Sequence, residues 1–382
     1  MRRWLKRTAV ALLATLAVLS FIVVVTPQGR ASAKTAGLVL QVVPGFPVKP
    51  LGWFTDEPVR TAVEYPAGTR TAEADIYRIP DRKQRAALVL FLGVNPAGRD
   101  DERVVNLASA LARAGFVVLV PWSENMAAKR VSPADVELLV AAFQYLAALP
   151  GVDRTRIGGS GFCIGSSLLV VAASDPRISA DVSFINFFSG FYDGRDYIKQ
   201  FAAKRTFYDG TEEPWVPDRL TTEVFTLLLI ESLSLPSERD ALDGHFTGGR
   251  PLTETALQGL SKEAQAVHGL LSGTTTLEEA EALLREVPQR LLDAVDALSP
   301  SQNLDGLSAR LLIMHDREDA LAPVEESRRL ADAMAARGGD VRYTEFSFFS
   351  HVDPGEGVGP VGLLSESFKL YRHLYTVIRV AG

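Results

Sequence analysis

The sequence predicts an α/β architecture: a mostly parallel, doubly wound sheet with an inserted helical segment, preceded by an apolar N-terminal run. Three observations carry this. Short apolar runs alternate with helical segments through the first half of the chain, as strands joined by right-handed crossovers do. One strand-to-helix junction is the glycine-lined turn Gly161-Phe162-Cys163-Ile164-Gly165. From about Phe191 to Pro300 helical periodicity replaces the alternation, and strand-like chain then resumes.

The first elements read as a pair of edge strands, Arg60–Tyr65 and Glu73–Arg78; the second alternates apolar and polar residues, as a half-exposed antiparallel strand does. Ala87–Gly93 is apolar throughout, the mark of a strand buried on both faces. A loop, Val94-Asn95-Pro96-Ala97-Gly98, comes next. Val104–Ala114 is a helix stopped by Gly115. Phe116–Val120 is a second buried strand. Ser132-Pro133-Ala134-Asp135 opens a helix that runs to Leu149, with a cap, an early proline and an early acid. Then come the strand and helix around Cys163, and the strand Val182–Phe188.

The helical stretch contains Leu220–Leu235, Glu254–Leu271, Leu277–Val287 and Leu291–Leu298, with no strand among them. It is too long for a connecting loop, so it is expected to be a cap inserted into the sheet domain. Arg310–Met314, the helix Val324–Arg337, the strand Val341–Phe346 and a closing helix over Leu363–Val380 complete the core.

At 382 residues the chain exceeds the usual single core, which agrees with an insertion. Its net charge of −6 gives no basic signature for nucleic acid. A single cysteine excludes an intramolecular disulfide, and no zinc-type cysteine spacing is present. No metal and no organic cofactor are expected; oligomeric state is not legible.

At the N-terminus Arg2, Arg3, Lys6 and Arg7 precede an uncharged run from Ala9 to Val25, close to the lower limit of roughly 17 residues for a membrane span. Ala31-Ser32-Ala33 is an A-x-A cleavage signal. The expectation is a membrane anchor with an extracytoplasmic domain, or a secreted protein if cut after Ala33. Prolines 44, 47 and 50 block a continuous helix and mark the segment after the anchor as a linker. The expected organisation is 1–33 anchor or signal peptide, 34–59 linker or edge segment, 60–190 and 301–382 the two parts of the core, and 191–300 the cap.

The chemistry centres on Cys163. A sharp strand-to-helix turn of the form G-x-nucleophile-x-G lifts its central side chain above the sheet. The glycines are needed because strand and helix come too close for a Cβ. An acid after the next-to-last strand and His351 after the last strand complete the order nucleophile, acid, histidine. Asp316 and Glu318 are rivals for the acid, and His315 for the histidine. Lys129-Arg130 reads as a solvated charge pair or as a landing point for an anionic substrate.

On these motifs the chain resembles the dienelactone hydrolase family of the α/β-hydrolase superfamily. Gly161-Phe162-Cys163-Ile164-Gly165-Ser166 is similar to that family's G-F-C-x-G-G turn, and Leu311–Pro323 to its strand–H-G-x-x-D-x-x-x-P loop. The resemblance covers about residues 60–190 and 308–380. It implies an α/β-hydrolase fold, a Cys163–His351–Asp319 triad, and an oxyanion hole from the backbone N–H of Ile164 and of Val94 or Asn95. It places His315 as a loop histidine. It implies hydrolysis of a small-molecule ester, thioester or lactone through an acyl-cysteine. The glutamate that this family carries near the first buried strand is absent; Asn95 stands there. Alternatives are a prolyl-oligopeptidase-like peptidase and a non-catalytic anchored binding domain.

Overall fold

A computed structural model describes residues 25–42, 49–347, 349–350, 353–354 and 360–381. An eight-stranded sheet runs in the order β1-β2-β4-β3-β5-β6-β7-β8. Its strands are β1 (Val59–Ala67), β2 (Arg70–Arg78), β3 (Arg85–Phe91), β4 (Phe116–Pro121), β5 (Val152–Phe162), β6 (Val182–Phe188), β7 (Arg310–Asp316) and β8 (Val341–Phe346). β1 and β2 form an antiparallel hairpin, and β2 is antiparallel to β4. All remaining neighbours are parallel.

β3 shows why the centre is wholly apolar. Ala87, Val89 and Phe91 join one core; Ala86, Leu88 and Leu90 join the other. Successive side chains point to opposite faces, and both faces are covered. One face packs α3 (Ala134–Ala148), α4 (Ile164–Ala173) and α11 (Val324–Ala336). The other packs α1 (Pro27–Val42), α2 (Glu102–Ala114) and α12 (Pro360–Ile378).

Between β6 and β7 lie α5 (Gly194–Ala203), α6 (Arg219–Glu231), α7 (Pro236–Phe246), α8 (Lys262–Ser272), α9 (Leu277–Leu284) and α10 (Gln289–Leu298). They bury their own core, including Phe201, Phe225, Leu229, Leu242 and Val267. The insert departs from expectation in three ways. A hairpin, Arg205–Tyr208 with Thr211–Pro214, turns at Asp209 (φ 49) and Gly210 (φ 73). An Asp-Gly pair supplies the left-handed conformations that such a turn needs. The expected helix over Glu254–Leu271 is split, with Ser261 capping α8 through a bond from the Ala264 N–H. The expected helix over Leu220–Leu235 stops at Glu231, and Pro236 opens another at its first turn.

The N-terminal segment also differs. The expected boundary between residues 33 and 34 falls inside α1. Prolines 44, 47 and 50 come after this helix and do not interrupt it. Ala31, Thr35 and Leu38 are 2%, 0% and 1% exposed, packed into the core beside α2 and α12. Burying Leu38 alone is worth about 1.5–3 kcal/mol. The Ala31-Ser32-Ala33 motif is therefore the middle of a docked helix, with the Ser32 hydroxyl bonded to that of Tyr371. Among the described residues no helix is long and apolar enough to cross a membrane. The run from Ala9 lies outside them up to residue 24.

Candidate active site

β5 delivers its chain to a tight junction. Cys163 adopts φ 53 and ψ −142 at the N-cap of α4. For a residue with a Cβ this backbone is strained by about 1–3 kcal/mol. Backbone bonds hold it: the Cys163 N–H donates to the Phe188 carbonyl at 2.8 Å, and the Ser166 N–H donates to the Cys163 carbonyl at 2.9 Å. A Cβ on Gly161 would stand 2.5 Å from Ser166 Cα, so the glycine is dictated by backbone proximity. Ser166 and Ser167 fasten the end of β6 to this turn. The Ser166 hydroxyl donates to the Phe188 carbonyl at 2.9 Å and accepts the Phe188 N–H at 3.0 Å. The Ser167 hydroxyl treats Phe191 in the same way, at 2.7 and 2.9 Å.

Cys163 is half-buried and lines an apolar cavity of about 70 Å³. The core contributes Val94, Ile164, Ser189 and Leu321; the insert covers it with Tyr197, Leu220, Thr221, Val224, Phe225 and Leu228. The volume is well above the ~10–15 Å³ that one water needs and far below the ~300–1,000 Å³ of a drug-sized site. The N–H groups of Ile164 and Val94 have no intramolecular acceptor among the described residues. Asn95 does not line the cavity; its side-chain amide closes a turn on the Gly98 carbonyl at 3.2 Å.

Asp319 lies just beyond β7, at the same sheet edge, and is 3% exposed. Its carboxylate accepts the N–H of Leu321 at 2.7 Å and of Ala322 at 3.2 Å. The rivals are placed otherwise. Glu318 is exposed, and Asp316 accepts the Glu318 N–H at 3.0 Å in a local turn. His315 is fully buried. Its Nε2 donates to the Ala322 carbonyl at 3.0 Å and stands 3.4 Å from Asp319 Oδ2, while Nδ1 meets the Ser327 hydroxyl at 2.6 Å. Both ring nitrogens of His315 are engaged, so it is a buried loop histidine that braces the turn at Asp319. His351 lies outside the described residues.

The insert is stitched to the acid loop. Trp215 Nε1 donates to the Asp319 carbonyl at 3.0 Å, the Asp218 N–H to that of Ala320 at 2.7 Å, and the Thr221 hydroxyl to that of Leu321 at 2.9 Å. The Tyr197 hydroxyl also donates to Leu321. Burial, with Cys163 and then Asp319 close by, pushes the Tyr197 phenol well above its usual range, so it stays a neutral donor. Lys129 and Arg130 stay partly exposed, 33% and 49% in their side chains, and each meets a carboxylate of the insert. Lys129 binds Glu223 at 2.6 Å and Arg130 binds Glu231 at 2.7 Å, both on α6 of the insert.

Ser189 was not legible as a site residue. It sits directly after β6, is fully buried, has φ 53, and its hydroxyl has no hydrogen-bond partner among the described residues. It lines the cavity together with Cys163. A two-residue sequence signal, Ser-Gly after a buried strand, could have marked only a turn. Among the described residues no three His, Cys, Asp or Glu side chains gather as a metal site.

No family model matches the chain. Over 92 residues it is 30% identical to the probable 2-oxo-3-(5-oxofuran-2-ylidene)propanoate lactonase of Bradyrhizobium sp, a match covering 22% of this chain and 36% of that protein. The chain thus matches about a third of the length of that curated relative. Among solved structures, the Pyrobaculum calidifontis esterase is 16% identical with a TM-score of 0.46, over 95% of this chain and 96% of that one. The carboxylesterase EstE1 from a metagenomic library is 15% identical with a TM-score of 0.47, over 94% and 99%. The Pyrococcus horikoshii acylaminoacyl peptidase is 14% identical at 0.46, and only 40% of its chain is covered. Structural likenesses this weak carry no argument. The strand order, the antiparallel β2 beside an otherwise parallel sheet, and the strained turn between β5 and α4 stand without them, and on these the chain is an α/β-hydrolase by fold.

Proposed function

We propose that this protein hydrolyses short-chain esters, thioesters or lactones through an acyl-cysteine at Cys163. The observation that carries the reading is the strained backbone of Cys163 at the floor of an apolar cavity covered by the insert. Strain of this kind persists where the surrounding fold enforces a reactive geometry. The likeness to a curated lactonase over 92 residues supports the same class of chemistry.

In the proposed cycle His351 accepts the Cys163 thiol proton, and the thiolate sulfur attacks the acyl carbon. Negative charge moves to the carbonyl oxygen, which the N–H groups of Ile164 and Val94 receive. The intermediate collapses, the C–O bond breaks, and the leaving alkoxide takes the proton from His351. In a lactone that alcohol stays attached to the acyl group. Water, deprotonated by His351, then attacks the thioester and releases the acid, and the sulfur regains its proton. Asp319 has the role of holding the imidazole in one tautomer. A cavity of about 70 Å³ favours acetyl- to butyryl-sized groups over long chains.

The accompanying localisation is extracytoplasmic, with the run from Ala9 as an uncleaved anchor. Support comes from α1, since a cut after Ala33 would divide a helix whose Ala31 and Leu38 are both buried. Fractionating the full chain against a chain starting at Pro27 tests this. Membrane retention by both chains would overturn the anchor.

The catalytic reading is tested with p-nitrophenyl acetate and butyrate, comparing the full chain with Cys163→Ala and trapping the acyl-enzyme by mass spectrometry at acid quench. A covalent acyl group on the Cys163 peptide, and loss of turnover in the variant, are expected. Turnover that survives Cys163→Ala would reject the acyl-cysteine. No turnover of any ester, with a thiol inert to iodoacetamide, would favour a binding protein.

A further inference from the structure

At the opposite end of the sheet, where the parallel strands begin, arginines crowd together. A groove of about 570 Å³ is lined by Arg310, Arg342, Arg372 and Arg379, with Tyr371 and Tyr375 beside them. Arg310 opens β7 and Arg342 lies near the start of β8, while the other two come from α12 and the turn after it. Among the described residues counter-charge in the groove is scarce. Asp340 stands 3.3 Å from Arg310 Nε, but its side chain is 64% exposed, and that nitrogen is buried without a well-formed hydrogen bond. Among the described residues Arg342 has only a neutral partner, donating to the Thr376 hydroxyl at 2.7 Å. Its guanidinium is held below the usual value by burial and then by Arg372 and Arg310.

The basic character continues sideways. Arg156 donates to the carbonyl of Val380, itself a wall of the groove, at 3.3 Å. Lys34 of α1 feels Arg85, Arg30, Arg156 and Lys83, and its ammonium is held below the usual value, first by burial and then by those charges. A chain of net charge −6 has thus concentrated cations at one end of its sheet. Arg156 and Arg85 are answered by Asp153 at 2.7 Å and Asp81 at 2.6 Å, so the repulsion that a bound anion would relieve is that among the arginines of the groove itself. Guanidinium groups are planar forks that match phosphate oxygens two at a time. The stacked rings of Tyr371 and Tyr375, 6.1 Å apart, give the groove a flat apolar wall. Its volume lies within the range of small-molecule sites, ~300–1,000 Å³.

We propose that this groove is an anion site that takes a phosphate-bearing ligand, with Arg342 and Arg372 on the phosphate oxygens and the tyrosines against whatever the phosphate is attached to. The same chemistry is offered by a soluble phosphate ester and by an anionic lipid headgroup. The site is independent of the ester chemistry: it lies at the far end of the strands from Cys163.

The test uses the full chain in detergent micelles and two probes. Inorganic pyrophosphate is titrated by calorimetry at low and at physiological salt. Vesicles of phosphatidylglycerol in phosphatidylcholine are compared with pure phosphatidylcholine by flotation, so that insertion of the N-terminal run cancels. Binding of pyrophosphate assigns a soluble ligand; excess flotation with phosphatidylglycerol alone assigns a headgroup; either supports the site. The double variant Arg342→Gln, Arg372→Gln is expected to lose at least tenfold in the responding arm, without a lower melting temperature, because it removes repulsion. The exposed single variant Arg379→Gln reads the same loss should the double variant fold poorly. The charge-conserving Arg342→Lys is expected to weaken binding several-fold. Wild type that binds neither probe, or variants that bind as well as wild type, would overturn the proposal.

Discussion

The close approach of β3 to the turn at Cys163 can be tested by a single methyl group. A Cβ on Gly165 would stand 2.5 Å from the Gly93 nitrogen and 2.8 Å from the Phe91 carbonyl oxygen. Both neighbours are backbone atoms, so neither can swing aside as a side chain would. Bringing the shorter contact to 3.0 Å requires the loop after β3 to retreat by at least 0.5 Å (3.0 − 2.5). Overpacking of this kind costs about 1–3 kcal/mol of stability. The loop that moves carries Val94, whose N–H the proposed mechanism uses. Oxyanion donors act at about 2.7–3.1 Å, and removing one costs roughly 10²–10³ in kcat. Gly165→Ala is therefore expected to lower the melting temperature and to cut kcat on p-nitrophenyl acetate by about 10- to 1,000-fold, with a smaller change in KM. An unchanged melting temperature would refute the packing argument. A lowered one with kcat within threefold of wild type would show that the Val94 N–H does not serve the transition state.

Other contacts give three further outcomes. His373 is fully buried, with Nε2 donating to Asn186 at 2.9 Å and Nδ1 facing the Thr344 hydroxyl at 3.0 Å; burial, then Arg342, holds its pKa at about 3. The unfolded chain takes up that proton near 6.5. Between pH 6.5 and about 3 the unfolded state binds the extra proton, so stability present above 6.5 is lost as pH falls, by up to roughly 5 kcal/mol. His373→Gln should flatten the dependence of the urea midpoint between pH 7 and 4, and an equal slope in both proteins would contradict this. Ser189→Gly relieves about 1–2 kcal/mol of left-handed strain and removes a buried unpaired hydroxyl worth about 1 kcal/mol, offset by about 0.5–1 kcal/mol of glycine entropy; the position has φ 53. The melting temperature should rise, and a fall would mean that the hydroxyl has a partner. Glu326 is buried and accepts the N–H groups of Tyr192 at 2.8 Å and Asp193 at 3.0 Å, with Gln200 at 2.6 Å. Glu326→Ala strands these donors beside Arg329 and should cost about 3–5 kcal/mol, seen as faster hydrogen exchange at residues 192–193.

Much of this fold is legible in the sequence because its strands are buried on both faces. Ala87–Phe91 and Phe116–Val120 are unbroken apolar runs, and only a strand covered by helices on both sides has that composition. The glycines around Cys163 are equally legible, since Gly161 and Gly165 each face backbone rather than side chain. Sequence spacing does not carry the insert. Its helices pack on one another, so their boundaries depend on tertiary contacts such as Ser261 on Glu238 at 3.0 Å. Helix α1 is obscured for another reason. An apolar stretch between a membrane-like run and three prolines has no local mark that says it docks. Glu326 acts through buried polar contacts that join residues far apart in the chain, and no periodicity records such pairs.

The insert and the acid loop behave as one unit, and that bears on how the site could work. Four hydrogen bonds, from Tyr197, Trp215, Asp218 and Thr221, end on the carbonyls of Asp319, Ala320 and Leu321. Tyr197 and Thr221 thus both cover the cavity and fix the loop bearing the proposed acid. On the far side α6 is tied to the core through Lys129 and Arg130 by half-exposed ion pairs, each worth about 0–1 kcal/mol. The two seams differ in kind. The seam at residues 319–321 is largely shielded, with each donor matched to an acceptor, whereas the ion-pair seam is weak and screened by salt. Any opening that admits substrate should pivot at the acid loop and part at the ion pairs. An opening of that sense leaves Asp319 in place throughout, so that the proposed catalytic geometry would not have to be rebuilt at each turnover.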